Sequence, residues 1–402
     1  MQADTISSIP VSKVRLTIAG FVAFTFIGYF NIGLPLAVLP IFIHHQLGYS
    51  TMVAGIVISL QYLTTFLSRS YAGNIVDKKG PKPAVLLGML GFMLSGILLF
   101  MAYGLKSNPA LSLGLLIITR LMTGFSEGLV GASPINWALL AVGNQYTSKA
   151  ISFNGVASYG ALAVGAPLGV ILQNAFGMGS IAILTVLLGA LGLIYAKSKV
   201  ALGGHNNAPR QSYLQVLKKV SPYGICLALG GLGFGTISTF ITLYYSFLNW
   251  QGAVLSLSVF SILFVLGRVL FSRYIDIYGG MKTAIACLGL EAAGLFVLWQ
   301  APVPGVALLG SGIAGLGFSL VFPALGVEAV KRLPVANQGS ALGNYGLFTD
   351  MSLGITGPLV GAIATHLGMQ YIFPFCMVMA ISGALMAMMI YIRRRPATLT
   401  AK

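Results

Sequence analysis

Twelve long apolar segments follow one another along the 402 residues of this chain, separated by short polar stretches. A helix needs about 20 apolar residues to cross a hydrocarbon core of roughly 30 Å. The segments have about this length and lie near residues 16–43, 51–76, 83–104, 111–142, 149–174, 178–197, 220–247, 253–275, 283–300, 304–330, 338–365 and 370–392. The sequence therefore predicts an all-α integral membrane protein with twelve transmembrane helices.

The charge content argues against a soluble protein with these segments in its core. Only 7% of the residues are charged, whereas a soluble domain has about 25%. The net charge of +16 is high enough to suggest a nucleic-acid partner, but the basic residues cluster in alternate connections between the apolar segments. We interpret them as marking one membrane face, and we expect a lipid bilayer and no nucleic acid as partner.

The distribution of basic residues also predicts the orientation. If the N-terminus is cytoplasmic, all 23 Lys and Arg residues except Lys106 and Arg120 lie in cytoplasmic segments or at the cytoplasmic ends of helices. Such a bias follows the positive-inside rule. Both termini are therefore expected in the cytoplasm. The first eleven residues carry no cleavable signal pattern, so we expect the first apolar segment to be retained.

A polar motif between two apolar segments occurs twice, 199 residues apart. It consists of an Arg, an Asp eight residues later, a Gly three residues after that, and a Lys just beyond: Arg69, Asp77, Gly80 and Lys82, then Arg268, Asp276, Gly279 and Lys282. A repeat at half the chain length predicts two pseudo-symmetric six-helix halves. We assign residues 1–197 to the N-terminal half, 198–219 to a cytoplasmic linker and 220–402 to the C-terminal half.

The two Asp residues of this motif lie at predicted helix ends. Each carboxylate can accept hydrogen bonds from the free amides of a helix N-terminus in the other half, an interaction worth roughly 0.3 to 1 kcal/mol. Such contacts would latch one conformation of the two halves. The alternative is that Asp77 and Asp276 pair with nearby Lys or Arg residues at the membrane surface.

Four charged residues lie deep inside the apolar segments: Arg120 and Glu127 in the fourth, Glu291 in the ninth and Asp350 in the eleventh. An ionised side chain at the bilayer centre costs roughly 2.5 to 3.5 kcal/mol on insertion scales, so it usually faces a cavity or a partner. Arg120 and Glu127 are seven residues apart and therefore share one helix face. These four are the candidate proton-coupling residues.

Neutral polar and aromatic residues near the same depth are candidates for binding a solute. They are Tyr29, Asn31, Gln61, Tyr62, Asn136, Trp137, Asn154 and Tyr159. Each one alone is more often part of a helix–helix contact. Together they favour a partly polar substrate over a purely apolar one.

Other chemistry is not indicated. Cys226, Cys287 and Cys376 are solitary residues in apolar segments, which predicts neither a disulfide framework nor a metal site. The sequence has no phosphate-binding loop of the ATPase type, so ATP is not expected as the direct energy source. We expect no enzymatic activity and no cofactor.

The chain resembles the major facilitator superfamily along nearly its whole length. Gly73, Asp77, Lys78, Gly80 and Lys82 are similar to the loop signature of the family between helices 2 and 3, and Leu116, Arg120 and Gly124 to its helix 4 motif. Gly160, Gly165, Pro167 and Gly169 are similar to the helix 5 pattern of proton-coupled exporters, although Ala166 stands where that pattern usually has Gly. Residues 33–40 and 323–326 resemble a bacterial branch related to drug and arabinose efflux permeases.

The resemblance implies a monomeric secondary transporter in the bacterial inner membrane, with the proton gradient as energy source. In this family helix 4 lines the central cavity and helix 9 is peripheral. We therefore rank Glu127 first as proton carrier, followed by Asp350 and then Glu291, with Arg120 modulating the proton affinity of Glu127 or binding an anionic group. The predicted latch consists of Arg69, Gly73, Asp77, Gly80, Arg268, Asp276 and Gly279.

The favoured function is a proton-coupled antiporter that exports a small organic solute, such as a drug, sugar or metabolite, by alternating access. One alternative is a proton symporter for solute uptake, which has the same fold. A second alternative is a transport-inactive membrane receptor or scaffold. That class usually carries a sizeable soluble domain or long tail, and no such segment is apparent.

Overall fold

The computed structural model describes residues 11–203, 213–331, 333 and 338–393, and this part of the chain is almost entirely helical. Twelve segments of it are long and apolar enough to cross a membrane, which confirms the predicted fold class. We number them spans 1 to 12: Lys13–Gln46, Thr51–Val76, Pro81–Gly104, Pro109–Val142, Ser152–Phe176, Met178–Ser198, Gln215–Phe247, Ala253–Phe271, Gly280–Trp299, Pro304–Val330, Asn344–His366 and Met369–Ile392.

The helices within and around these spans have their own bounds. The α-helices are Val11–Leu36, Leu39–Ile41, Thr51–Lys79, Pro81–Gly104, Pro109–Val130, Ser133–Val142, Thr147–Phe176, Met178–Ser198, Tyr213–Phe247, Ala253–Phe271, Tyr274–Tyr278, Gly280–Trp299, Pro304–Phe318, Val321–Val330, Gln338–His366 and Ile372–Ile392. A π-helical turn, Phe42–Gln46, ends span 1. Most predicted segment ends agree with these bounds within a few residues.

Spans 4 and 10 are each broken once. Span 4 is interrupted between Val130 and Ser133, and span 10 between Phe318 and Val321. Each break lies just before a proline, Pro134 or Pro323, whose nitrogen has no hydrogen to donate to the carbonyl four residues earlier. The same interruption in the same span of each half fits the internal repeat.

The two copies of the repeated polar motif end in the same kind of turn. Gly80 follows the helix Thr51–Lys79 with a φ of 80°, and Gly279 follows the helix Tyr274–Tyr278 with a φ of 85°. This left-handed region is open to glycine and costly for other residues. Glycine at these two positions therefore allows the chain to reverse direction between the helices.

An even number of spans places both ends of the described chain at the same side of the bundle. We call this side the termini face and the opposite side the far face. Span 2 packs on span 11, span 5 packs on span 8, and the far-face end of span 1 packs on span 7. These three pairs of spans join the N-half, spans 1 to 6, to the C-half, spans 7 to 12.

The two halves are closed against each other at the far face. There the hydroxyls of Thr51 and Thr365 are 2.9 Å apart, and Thr242 Oγ1 donates to the carbonyl oxygen of Ala37 over 3.0 Å. All residues from 31 to 40 in span 1 and from 230 to 245 in span 7 are buried. Towards the termini face, by contrast, span 1 keeps large exposed side chains at Leu16 and Phe26.

The connection between the halves is only partly described. Span 6 ends at Ser198, and the helix of span 7 begins at Tyr213, seven residues before the predicted start at residue 220. The middle of the predicted linker, residues 204–212, lies outside the described residues.

Candidate functional site

A buried hydrogen-bonded cluster joins spans 2 and 4. Gln61 Nε2 and Thr65 Oγ1 donate to the same oxygen of Glu127, over 3.0 and 2.8 Å, and Arg120 Nη1 donates to Gln61 Oε1 over 3.0 Å. Gln61 and Thr65 are one turn apart on span 2, and Arg120 and Glu127 are two turns apart on span 4. We call these four residues the Glu127 cluster.

Close contact between the two helices makes this cluster possible. A Cβ on Gly124 would overlap the carbonyl oxygen of Gln61, so only glycine allows span 4 to approach span 2 at this level. Glu127 and Arg120 are consequently shielded, with 2% and 3% of their surface exposed.

The charges of the cluster are incompletely compensated. The donors to the Glu127 carboxylate are a neutral amide and a neutral hydroxyl, and no ion pair to Glu127 is present among the described residues. Within the same residues, Nε of Arg120 is buried without a hydrogen-bond partner. A buried carboxylate held by neutral donors can be neutralised by a proton without breaking an ion pair.

A charge pair between the half-buried Arg69 and the buried Asp350 crosses from one half to the other. Arg69 Nη2 in span 2 donates to Asp350 Oδ2 in span 11. Arg69 Nη1 and the hydroxyl of Tyr29 lie 3.9 and 3.8 Å from the position that a Cβ would occupy on Gly131, one turn beyond Glu127. Arg69 therefore lies between the acid of the C-half and the segment of span 4 that carries Glu127.

Arg268, the second copy of the repeated arginine, also reaches across. Its Nη1 donates to the carbonyl oxygen of Gly155 in span 5 over 2.6 Å, and its Nε donates to that of Ser319 over 3.2 Å. The guanidinium carbon lies 4.9 Å from the ring centre of Tyr159 and 5.3 Å from that of Phe264. Arg268 thus has carbonyl oxygens and aromatic faces as neighbours.

The two arginines occupy equivalent places. Nη1 of Arg69 is 3.9 Å from the Cβ position of Gly346, and Nη1 of Arg268 is 3.8 Å from that of Gly155. These two glycines are 191 residues apart, and the same offset relates Tyr159 to Asp350. Tyr159 therefore stands beside Arg268 where Asp350 stands beside Arg69. The Tyr159 hydroxyl lies 2.9 Å from Thr349 Oγ1.

The Glu127 cluster has an aromatic counterpart in the C-half. A Cβ on Gly315 would overlap the carbonyl oxygen of Phe260, as one on Gly124 would overlap that of Gln61. Matching these contacts makes Phe260, Phe264 and Phe318 the equivalents of Gln61, Thr65 and Glu127. The ring centre of Phe264 lies 6.2 Å from that of Phe260 and 6.2 Å from that of Phe318. The halves share a backbone plan and differ in the chemistry of this layer.

Several predicted residues lie elsewhere in the bundle. Glu291 is buried against Gly230 and Gly233 of span 7, and its Oε2 has no hydrogen-bond partner among the described residues. Asn31 is buried, and neither polar atom of its amide has a hydrogen-bond partner among the described residues. Tyr62 packs on Gly354 of span 11, and Asn154 Oδ1 accepts a hydrogen bond from Thr25.

The structure does not bring Asn136 and Trp137 to the Glu127 cluster. Asn136 is exposed near the termini face. Trp137 is buried, packs on Phe21 and Phe24, and donates from Nε1 to the carbonyl oxygen of Val200 over 3.1 Å. Its contacts join span 4 to the segment that follows span 6.

The carboxylates of the predicted latch are not part of a described contact between the halves. Asp276 is exposed, and none of the hydrogen bonds or ion pairs between described residues includes its carboxylate. The side chain of Asp77 lies outside the described residues. Gly73 has open space where a Cβ would be. Arg69 and Arg268 of the same motif do bridge the halves.

Sequence reasoning missed two hydroxyl residues of the site. Thr65 hydrogen-bonds Glu127, and Thr349 contacts Tyr159. Thr65 is four residues after Gln61, so the helical repeat places both on one face. Thr349 precedes Asp350 in the sequence. No group of three or more His, Cys, Asp or Glu side chains suited to a metal ion occurs among the described residues.

Twelve spans in two repeated halves, with buried charges where the halves meet, define a membrane transporter fold. The family model of the major facilitator superfamily matches residues 21–281 and 224–402, and the chain belongs to this family. It is 50% identical over 385 residues to a protein of Pseudomonas aeruginosa named an uncharacterized MFS-type transporter, covering 96% of both chains. A Burkholderia mallei protein with the same kind of name is 46% identical over 400 residues, covering 98% of both.

Solved structures show the same fold at low sequence identity. The crystal structure of a D-xylose–proton symporter matches with a TM-score of 0.74 at 16% identity, covering 93% of this chain and 96% of that one. The crystal structure of the nucleoside transporter NupG matches with a TM-score of 0.67 at 16% identity, covering 95% and 100%. At this identity the likeness extends to the fold alone.

Proposed function

We propose that this protein is a proton-coupled antiporter that exports a small organic solute by alternating access. The observation that carries the proposal is the buried Glu127 carboxylate, which is held by two neutral donors. No ion pair between described residues includes Glu127, and a buried charge without an ion-pair partner is costly deep in a membrane protein. Glu127 therefore suits a group that gains and loses a proton during each cycle.

The bridge between Arg69 and Asp350 gives the proton a way to act on the halves. Arg69 contacts Asp350 across the seam and lies near the turn that follows Glu127. When Glu127 is ionised, Arg69 has two acids to attract it, and when Glu127 is protonated only Asp350 remains. The proton state of Glu127 thus biases how firmly Arg69 holds the two halves together, which is the coupling that alternating access requires.

The glycines of span 5 support a moving contact with span 1. A Cβ on Gly169 would overlap the carbonyl oxygen of Leu34, and one on Gly165 would lie 3.1 Å from Gly33. Small residues at a helix interface allow backbones to slide past each other with little side-chain interference. The resemblance of span 5 to the exporter pattern favours export as the direction.

The proposed arrangement in the cell follows from the basic residues. The termini face is cytoplasmic, the membrane is the bacterial inner membrane, and the halves and linker are residues 1–197, 198–219 and 220–402. Lys106, exposed between spans 3 and 4, then faces outwards. A Lys106→Cys variant should react with a membrane-impermeant maleimide in intact cells, and lack of labelling would contradict this orientation.

The solute is proposed to bind where the halves meet. Tyr29, Tyr62 and Tyr159 reach this region from spans 1, 2 and 5, and Gln61 belongs to the Glu127 cluster. Asn31 and Asn154 remain candidates through their amides. The protein is expected to work as a monomer with the proton gradient as its energy source.

The test is transport by purified protein in liposomes under an imposed pH gradient, with a solute selected by its effect on thermal unfolding. Glu127→Gln mimics the protonated acid, so it should keep solute exchange without a gradient and lose at least tenfold in gradient-driven accumulation. Asp350→Asn is the matched variant, because it removes a carboxylate at similar depth in the other half. Full gradient-driven transport by Glu127→Gln, together with its loss in Asp350→Asn, would move the proton site to span 11.

A further inference from the structure

Arg268 is a buried cation without a negatively charged partner among the described residues. Its residue surface is 8% exposed, and it lies within span 8. Its hydrogen bonds go to the carbonyl oxygens of Gly155 and Ser319. Among the described residues, no carboxylate lies within ion-pair distance of its guanidinium. Carbonyl oxygens orient a guanidinium, but they do not neutralise its charge.

The repeat shows what is missing at this position. Arg69 has the same place in the N-half and is neutralised by Asp350. The residue equivalent to Asp350 beside Arg268 is Tyr159, whose ring lies against the guanidinium and whose hydroxyl contacts Thr349. One of two equivalent arginines therefore has an acid and the other has an aromatic ring. An anion that arrives with the substrate would complete the second site.

The side chains around Arg268 are apolar and aromatic. The ring centre of Tyr159 lies 6.0 Å from that of Phe264 and 5.0 Å from that of Phe322, and Phe322 is 5.0 Å from Tyr345. Phe318 stands where the N-half has Glu127, so no acid competes for the guanidinium from that side. A ring-bearing body can stack on such faces with a gain beyond its area.

We propose that Arg268 binds the negatively charged group of the substrate, and that the substrate is an organic acid with an apolar, aromatic body. This inference rests on the proposed transport function and adds the substrate class. The planar guanidinium offers a carboxylate two parallel donors, which Lys does not. Arg268 contributes to the seam between the halves at the same time, so a bound acid would draw the guanidinium away from Gly155.

The experiment is ligand-induced stabilisation of the purified full-length protein. The probes are benzoate, phenylacetate and indole-3-acetate, each paired with its neutral amide, and chloride and inorganic phosphate as small anions. A ligand that binds the folded state raises the unfolding temperature, and the rise grows with the ratio of its free concentration to its Kd. At least one acid should raise it, its amide should not, and chloride and phosphate should have less effect at equal concentration.

The variants separate the role of Arg268 from a general effect of charge. Arg268→Gln should weaken binding of the acid at least tenfold, and Arg268→Lys should retain part of it. Arg273→Gln is the matched control, because Arg273 is an exposed arginine five residues further on, and it should bind the acid like the wild type.

Each outcome bears on one proposal. If no acid stabilises the wild type, if the amides or small anions do so equally, or if Arg268→Gln binds as tightly as the wild type, the inference about Arg268 is wrong, and proton-coupled transport of another solute stands. If an acid binds through Arg268 but a pH gradient does not drive its movement in liposomes, the substrate class stands and the proton coupling fails.

Discussion

Four charged side chains lie deep inside the apolar segments. Arg120, Glu127, Glu291 and Asp350 stand out because a charge inside an apolar segment is costly wherever it points. All four side chains are buried. The sequence does not predict their partners, because Arg69 and Asp350 are separated by 281 positions and meet only when spans 2 and 11 pack. The helical repeat restricts partners within one helix, but it says nothing about partners on another.

The position of Trp137 in the structure differs from the prediction. Its position after Asn136 in span 4 suggested a place near the solute. In the structure it packs on the aromatic rings of Phe21 and Phe24 and caps the carbonyl oxygen of Val200. Trp137 lies in the second helix of span 4, after the break before Pro134. Composition does not predict how such a break directs the helix that follows it.

At the residue scale we predict that the ion pair between Arg69 and Asp350 can be inverted. Arg69→Asp alone and Asp350→Arg alone each place two like charges across the seam, and loss of a buried pair costs about 3–5 kcal/mol. Each single variant should therefore lower the unfolding temperature and reduce transport at least tenfold. The double variant should recover part of both, as measured by thermal unfolding in detergent and by uptake into liposomes.

The control for this inversion is the ion pair between Lys331 and Glu328. Its atoms are 3.3 Å apart, and its lysine is exposed. Exposed pairs contribute about 0–1 kcal/mol, so Glu328→Gln should change stability little. If the double variant at the seam is no better than the worse single variant, the two charges do not act as a pair.

Whole elements follow the sequence closely, and the exceptions have local causes. The predicted eighth segment ends at residue 275, whereas span 8 ends at Phe271 because the chain turns at Ser272 and Arg273 before a short helix, Tyr274–Tyr278. Apolar composition continues through this turn, so hydropathy does not reveal it. Hydropathy also does not predict which helices touch. At several contacts, glycines allow the close approach of two helices.

At the element scale we predict that Gly55 and Gly357 set the distance between spans 2 and 11. A Cβ on either residue would overlap the carbonyl oxygen of the other. Gly55→Ala and Gly357→Ala should each lower the unfolding temperature and reduce transport, because the seam must separate by the width of a methyl group. The control is Gly289→Ala in span 9, where a Cβ meets nothing within 4 Å.

Helix propensity alone predicts the opposite effect, a gain in stability when Gly is replaced by Ala. Replacing Gly by Ala inside a helix gains about 0.5–1 kcal/mol when nothing obstructs the methyl group. Gly289→Ala should therefore be neutral or stabilising. An equal gain in Gly357→Ala would show that the seam is not tightly packed at this point.

At the scale of the whole molecule, the repeat predicts that there are two halves, but it does not predict how they pack against each other. The offset between equivalent residues is 199 for spans 2 and 8 and 191 for spans 5 and 11, so the halves differ in loop length while keeping the same contacts around Arg69 and Arg268. The contacts match Gly124 with Gly315, although the run Gly-Phe-Ser that begins at Gly124 occurs again at Gly317. Which face is closed depends on packing between the halves, and no repeat encodes it.

The closed far face gives the last prediction. Thr51 Oγ1 and Thr365 Oγ1 are 2.9 Å apart on spans 2 and 11, so cysteines at these positions bring two sulfur atoms within reach of a bond. Alternating access requires this contact to open once in every cycle. Oxidation of the variant Thr51→Cys with Thr365→Cys should therefore stop transport, and a reducing agent should restore it. A matched pair within the C-half, Ser256→Cys with Ser311→Cys, joins hydroxyl positions 2.6 Å apart in spans 8 and 10, which belong to the same half. Oxidising that pair should leave transport unchanged, as should oxidant treatment of the wild type, whose native cysteines are buried or half-buried. Undiminished transport by the fully oxidised Thr51 and Thr365 pair would mean that the far face does not open between these spans.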